Sequence, residues 1–262
     1  MNFLIIGDIV GKSGLDKLVE EYPKIVKEKS IDFSIVNGEN SANGKGLRIQ
    51  EYNKITALGV DCITMGNHIY YRKEMADQYS LLPKLLIPAN ITNLKGNGSL
   101  IIEKNNIKVG VINLIGSVGM SDILTENMVN PFKTALSEIE KLKHDGAKYI
   151  FVDFHAEATA EKIAMGYFLK EMVNCVFGTH THVQTADETI LDTGMAYITD
   201  VGMTGPKDSV LGLEKEIAIN RFLTGEKIKY QCSKNESFLN GLFVQIDDNT
   251  SKVIKVERIF KK

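Results

Sequence analysis

The chain has 262 residues, and 31 Lys and Arg against 33 Asp and Glu give a formal net charge of −2. That balance argues against a binder of long nucleic acid or anionic membranes, which carries a basic excess. Hydrophobic residues are 44% and charged residues 24%, and a chain of this size buries roughly 75% of its unfolded surface, so its core needs no disulfide or metal.

The first apolar run, residues 3–6, reaches Asp8 too soon for a signal peptide and has no basic residues before it. No later stretch approaches the ~20 apolar residues of a membrane span. A cytoplasmic protein with no membrane partner is expected. Strands are predicted at 3–6, 33–36, 62–65, 85–87, 109–114, 149–154 and 175–177. These runs are almost continuously apolar, as parallel strands buried on both faces are.

Between them lie helical patterns. Leu15, Leu18, Val19, Tyr22, Ile25 and Val26 recur at three- and four-residue spacing. Further helices are expected at about 49–58, 131–143 and 159–173, the second opened by Asn130 as cap and Pro131 in its first turn. Residues 98–114 read as a β-hairpin turning at Asn105-Asn106. The end of the chain is strand-like at 189–191, 196–199, 228–231, 242–246 and 253–260. The reading is one α/β domain over 1–262, with two packed sheets flanked by helices. Cys62, Cys175 and Cys232 are odd in number and far apart, and read as small hydrophobes in a reducing compartment.

Polar residues collect at the C-terminal ends of the predicted strands, where open α/β sheets place their ligands. Successive ends carry Asp8, then Glu39 and Asn40, then Asn67 and His68, then His155, then His180 and His182. Four of the five histidines are therefore at strand ends. Carboxylate oxygen with imidazole nitrogen is the donor set of Mn, Fe or Zn, and the ligands suffice for two ions. Glu39 can bridge two cations, and Asn67 adds a neutral oxygen. His180 and His182 point the same way on an extended chain, or toward different ions if the chain bends. Two metals about 3.5–4 Å apart activate a bridging hydroxide and clamp a phosphoryl group. His68 is the candidate to touch substrate and protonate its leaving oxygen.

Asp8, Gly38-Glu39-Asn40, Gly66-Asn67-His68, His155 and Gly178-Thr179-His180-Thr181-His182 follow the order of the calcineurin-like metallophosphoesterase signature, DxH, GDxx, GNH(D/E), H, GHxH. More narrowly, GDIVGKSG (7–14), NGENSANGKG (37–46), DFHAEAT (153–159) and YITDVGMTG (197–205) resemble the bacterial YmdB-like phosphodiesterases, over residues 1 to about 260. The resemblance implies a four-layer αββα fold and a dinuclear centre of iron and/or manganese. It also implies hydrolysis of small phosphodiesters, with 2′,3′-cyclic nucleotides as the associated substrates. Asp8, Glu39, Asn40 and His182 would hold one ion, and Glu39, Asn67, His155 and His180 the other. Loops 41–46 and 203–208 would contact substrate. Three positions depart from the broad signature: Val10 replaces a histidine, Glu39 replaces an aspartate, and Ile69 replaces the acid after GNH. By resemblance Asn40 takes the place of the lost histidine, while His68 has no neighbouring carboxylate in sequence to orient it.

Plainer readings compete. Asp8 would suit the cap of the next helix, loop 37–46 a glycine-rich turn, and His155 a satisfied core histidine. His144, among Lys141, Lys143 and Asp145, reads as solvated surface. A P-loop nucleotide binder is suggested by GDIVGKS at Gly7–Ser13, but GxxxxGK(S/T) needs a glycine where Ile6 stands. A weakly catalytic nucleotide sensor on the same fold is the remaining alternative. Symmetric homo-oligomers are common for chains of this kind.

Overall fold

The computed structural model describes residues 1–120, 126–226 and 228–262. In chain order, β1 (Asn2–Ile6), β2 (Asp8–Ile9), α1 (Gly11–Lys29), β3 (Phe33–Asn37), α2 (Ile49–Ala57), β4 (Cys62–Thr64) and β5 (Leu85–Leu86) come first. The middle of the chain forms β6 (Ser99–Lys104), β7 (Ile107–Ile115), α3 (Pro131–His144), β8 (Tyr149–His155), α4 (Thr159–Leu169) and β9 (Cys175–Thr179). Last come β10 (Thr189–Ile190), β11 (Ala196–Ile198), β12 (Met203–Pro206), α5 (Lys215–Thr224), β13 (Ser237–Ile246) and β14 (Val253–Lys261).

Two sheets result. One runs β2-β12-β13-β1-β3-β4-β5 with β14 on β13, and the other runs β10-β11-β9-β8-β7-β6. The runs β1-β3-β4-β5 and β7-β8-β9-β11 are parallel. Residue alternation then dictates four layers. Leu4, Ile6 and Val36 pack on Leu15, Leu18 and Ile25 of α1. Phe3, Ile5, Phe33 and Ile35 point the other way, into Val111, Tyr149, Phe151 and Phe177 of the second sheet. The far side of that sheet, with Ile112, Leu114 and Val152, meets Ile139 of α3 and Met165 and Leu169 of α4. The order α, β, β, α is thus the expected one. Phe3 and Phe151 lie at the centre with ring centroids 4.5 Å apart, each such burial stabilising the fold by about 1.5–3 kcal/mol.

Local signals act as expected in two places. Asn130 Oδ1 accepts from the backbone nitrogens of Phe132 and Lys133, capping α3 with Pro131 in its first turn. Asn105 and Asn106 take φ of 54° and 60°, the left-handed pair that a two-residue hairpin turn requires. Elsewhere the reading needs correction. Helix α4 ends at Leu169, short of 173. Residues 228–231 form no strand, although Lys229 and Gln231 are exposed while Ile228 and Tyr230 are half-buried. That alternation packs Tyr230 into a cleft wall, and pairing is confined to an isolated bridge between Cys232 and Leu213.

Candidate metal centre

Asp8 follows β1, Glu39 and Asn40 follow β3, and Asn67 and His68 follow β4. His155 closes β8, and His180 and His182 follow β9. Because the parallel strands of both sheets end at one edge of the sandwich, the eight residues meet there. Asp8, Glu39, Asn40 and His155 are buried, and the other four are half-buried. Asp8 does not cap α1, whose N-cap is Val10 with no side-chain hydrogen bond. Val10 is itself fully buried in the core. His144 is on the surface, its side chain 89% exposed.

Ligand atoms of Glu39, His155 and His180 all lie within 4.8 Å of one another, a spread that one metal ion can span. His155 Nε2 is 3.3 Å from Glu39 Oε1, 2.9 Å from Asn67 Oδ1 and 3.1 Å from His180 Nδ1. Hydrogen bonds on the outer side of each ring explain this orientation. The Thr179 hydroxyl donates its one hydrogen to Asp153 Oδ1 at 2.7 Å, so it accepts from His155 Nδ1 at 2.9 Å. His182 Nδ1 donates to the Leu211 carbonyl at 3.0 Å, and His180 Nε2 faces Glu157 Oε2 at 2.9 Å. All three imidazoles therefore use one nitrogen outward and turn the other to the cluster, as metal-binding histidines do.

The other half of the cluster contains Asp8, Asn40 and His182. His182 Nε2 is 3.1 Å from Asn40 Nδ2 and 3.8 Å from Asp8 Oδ1. Asp8 Oδ1 and Asn40 Oδ1 are both buried with no hydrogen-bond partner among the described residues, although buried acceptors are nearly always paired. The Asn40 amide turns its nitrogen to His182 and to Glu39 Oε1, at 3.0 Å from the latter. Its isosteric alternative turns the oxygen to the same point. Gly66 allows the groups to close in, since a Cβ there would lie 2.3 Å from His155 Nε2 and 2.4 Å from Glu39 Oε2. Orphaned acceptor oxygens beside inward-facing imidazole nitrogens are a donor set that fits transition-metal ions.

Electrostatics agree. Burial pushes the Asp8 carboxyl well above its usual range, against the pull of His155. Burial would raise Glu39 too, but the charges of His155 and His68 hold it well below the usual value. Burial would lower His155, but Glu39 and Asp8 raise it to about 9. His180 drops to about 3 through burial and the neighbouring His155. Glu39 also supplies what the sequence around His68 lacks. His68 Nδ1 lies 3.1 Å from Glu39 Oε1, and its backbone nitrogen donates to Glu39 Oε2 at 3.0 Å.

The chain bends at His180-Thr181-His182. Both histidines have positive φ, 102° and 66°, a conformation that costs energy and persists where surrounding contacts impose it. Asp200 imposes it here. Its Oδ2 accepts from the Thr181 backbone at 3.0 Å and hydroxyl at 2.8 Å, and pairs with Lys162 of α4 at 2.7 Å. The Lys162 and Asp200 side chains are both almost wholly buried.

A cleft of about 590 Å³ opens over the cluster. Loop 41–46 lends it Gly44 and Lys45. Residues 203–208, expected to contact substrate, instead form β12 and the turn after it, and the cleft wall is built by Leu211, Leu213 and α5. Lys12, central to the P-loop reading, pairs with Asp16 on the surface of α1, its side chain 79% exposed. Sequence reasoning missed Asp153, Thr179, Lys162, Asp200 and α5. Asp153, Thr179 and Asp200 lie within the quoted motifs 153–159, 178–182 and 197–205, which assign them no role. Helix α5 had a local signal in Gly225, which at φ 70° stops a ten-residue stretch as a C-terminal cap.

The fold and cluster define the calcineurin-like metallophosphoesterase class. Within it the chain belongs to the YmdB-like family, whose model, described as YmdB-like protein, matches residues 4–259. It is 42% identical to the 2′,3′-cyclic-nucleotide 2′-phosphodiesterase of Bacillus subtilis strain 168, across 99% of this chain and 96% of that protein. A phosphatase crystal structure from Mycoplasma pneumoniae superposes with a TM-score of 0.92 at 38% identity, covering 99% and 92% of the two chains. A 5′-nucleotidase precursor from Thermus thermophilus shares the fold alone, at 11% identity and a TM-score of 0.60, with 100% of this chain and 54% of that one covered.

Proposed function

We propose that the protein is a metal-dependent phosphodiester hydrolase acting on small esters, 2′,3′-cyclic nucleotides above all. The observation that carries this reading is the pair of orphaned buried oxygens, Asp8 Oδ1 and Asn40 Oδ1, beside three imidazoles whose outer nitrogens are already engaged. Asp8, Glu39, Asn40 and His182 would hold one ion. Glu39, Asn67, His155 and His180 would hold a second; the donors suit manganese, iron or zinc, and the family resemblance favours iron and/or manganese. Bound there, the ions would neutralise phosphate charge and supply a nucleophile at neutral pH.

The chain supplies the remaining functions. Hydrolysis forms one P–O bond to water and breaks one ester P–O bond, so the leaving alkoxide needs a proton. His68 lines the cleft and is anchored through Nδ1, which leaves Nε2 to hold that proton at the leaving oxygen. With the phosphate charge met by cations, a near-neutral surface suffices, which favours small nucleotides over long nucleic acid. No helix among the described residues is long and apolar enough to cross a membrane.

Metal analysis of the purified protein, joined to a panel that includes 2′,3′- and 3′,5′-cyclic nucleotides, tests the reading. Glu39→Ala is expected to lose metal and activity, and His68→Ala to keep metal while losing most turnover, roughly 10²–10⁴-fold. Absence of bound transition metal, with no phosphodiesterase activity on adding manganese or iron, overturns the reading. Tight nucleotide binding with negligible turnover in the fully loaded protein turns it toward the sensor.

A further inference from the structure

The cleft has two unlike halves. Its floor is carboxylate, amide and imidazole. Its outer wall is apolar, built by Val210, Leu211, Leu213, Ala218 and Phe222. Phe222 lies on α5 with its side chain almost entirely in solvent, 88% exposed. A large aromatic ring held out at the rim of a polar site costs hydration free energy unless something covers it. The volume, about 590 Å³, lies within the range of about 300–1,000 Å³ typical of small-molecule sites.

Charge at the rim describes the occupant further. Lys45 and Arg221 both line the cleft, together with Glu157, which faces His180, and the exposed Glu226. Among the described residues neither cation forms an ion pair. Lys45 donates to the Tyr71 hydroxyl at 3.0 Å. Its ammonium also lies 4.5 Å from the Tyr71 ring centroid and 5.1 Å from that of Tyr230, which fixes it at the cleft mouth. Two unpaired cations beside an apolar aromatic wall, continuous with a phosphate-type floor, complement a ligand that is anionic at one end and flat and apolar at the other.

We infer that the outer half of the cleft is a nucleoside subsite in which Phe222 stacks on the base while Arg221 and Lys45 face the anionic end of the ligand. The inference rests on the phosphodiesterase reading for its substrate and adds the part of the molecule that selects nucleotides over other esters. Stacking on an aromatic side chain tolerates every base, since each has a π face. The subsite therefore distinguishes nucleotides from base-free esters and discriminates little among the bases.

The test compares 2′,3′-cyclic AMP with methyl riboside 2′,3′-cyclic phosphate, which carries the same reacting phosphate without a base. In Phe222→Ala, the ratio of kcat/KM for the nucleotide to that for the base-free ester should fall about ten-fold through KM, within the range that base–aromatic stacking confers. Phe222→Tyr should restore it. Calorimetric binding of 3′-AMP should weaken by a similar factor in Phe222→Ala. If wild-type protein hydrolyses neither ester but Phe222→Ala still weakens 3′-AMP binding, the subsite stands and the hydrolase reading fails. Equal losses on both esters overturn the inference, as does unchanged 3′-AMP binding. A shift from dimer to monomer in sedimentation, with equal losses on both esters, would assign the exposed face of α5 to a second copy of the chain instead.

Discussion

Thr179 stands between the buried Asp153 carboxylate and the His155 ring, and its single hydroxyl hydrogen can serve only one of them. Donation to Asp153 obliges His155 to donate from Nδ1 and to present Nε2 to Glu39, Asn67 and His180. Asp153 is also held by the Thr64 hydroxyl and by Asn37 Nδ2 at 3.2 Å, so its orientation is rigid. Thr179→Val keeps the shape and removes the relay. Metal affinity or turnover is expected to fall about 10–100-fold, as when outer partners of metal-binding histidines are lost. Thr179→Ser should recover most of it. Unchanged metal affinity and kcat in Thr179→Val would show that packing alone sets the His155 ring.

The loop after β9 makes its turn because α4 reaches under it. Lys162 brings a positive charge to Asp200, and Asp200 holds the Thr181 hydroxyl and backbone as well as the Gly202 nitrogen, the last at 2.8 Å. Helix α4 also carries Glu161, whose carboxylate accepts from the backbone nitrogens of Ser117 and Val118. One helix thus ties down two loops at the edge where the site lies. Removing one partner of a buried ion pair leaves the other uncompensated, at a cost of about 3–5 kcal/mol. Lys162→Met should therefore lower stability by about that amount in denaturant titration. The double variant Lys162→Met/Asp200→Asn should regain part of the loss, and full additivity of the two changes would show that the pair is not coupled.

For the molecule as a whole, the site links stability to pH and to metal. In the metal-free protein His155 has a folded pKa of about 9, above its ordinary 6.5. A raised folded value contributes stability that is complete below pH 6.5 and is lost as pH rises through about 9. A metal held by His155 would need the same nitrogen without its proton, so on that reading metal affinity should rise over that window. Thermal melts of metal-stripped and metal-loaded protein at pH 6.5, 8 and 9 check both statements. The stabilisation on adding manganese is expected to be larger at pH 9 than at pH 6.5. Equal stabilisation at the two ends would detach His155 from the metal.

The nearly continuous apolar runs of the buried parallel strands marked the sheets in the sequence, because both faces of these strands pack against apolar layers and the one carboxylate within them, Asp153, is held by Thr64, Asn37 and Thr179. For the same reason Asp8, Glu39, Asn67 and the four histidines stood out where those runs stop. Local sequence also contained the Asn130 cap and the Asn105-Asn106 turn, which act within a few residues. Only the tertiary structure decided that Glu39 orients His68, 29 positions away, and that Thr179 and Asp153 choose the nitrogen His155 presents. It likewise decided that α5 walls the cleft. These are contacts between side chains brought together by the docking of separate strands and helices. No period or spacing along a chain encodes them, since they depend on two sheets closing over one shared core.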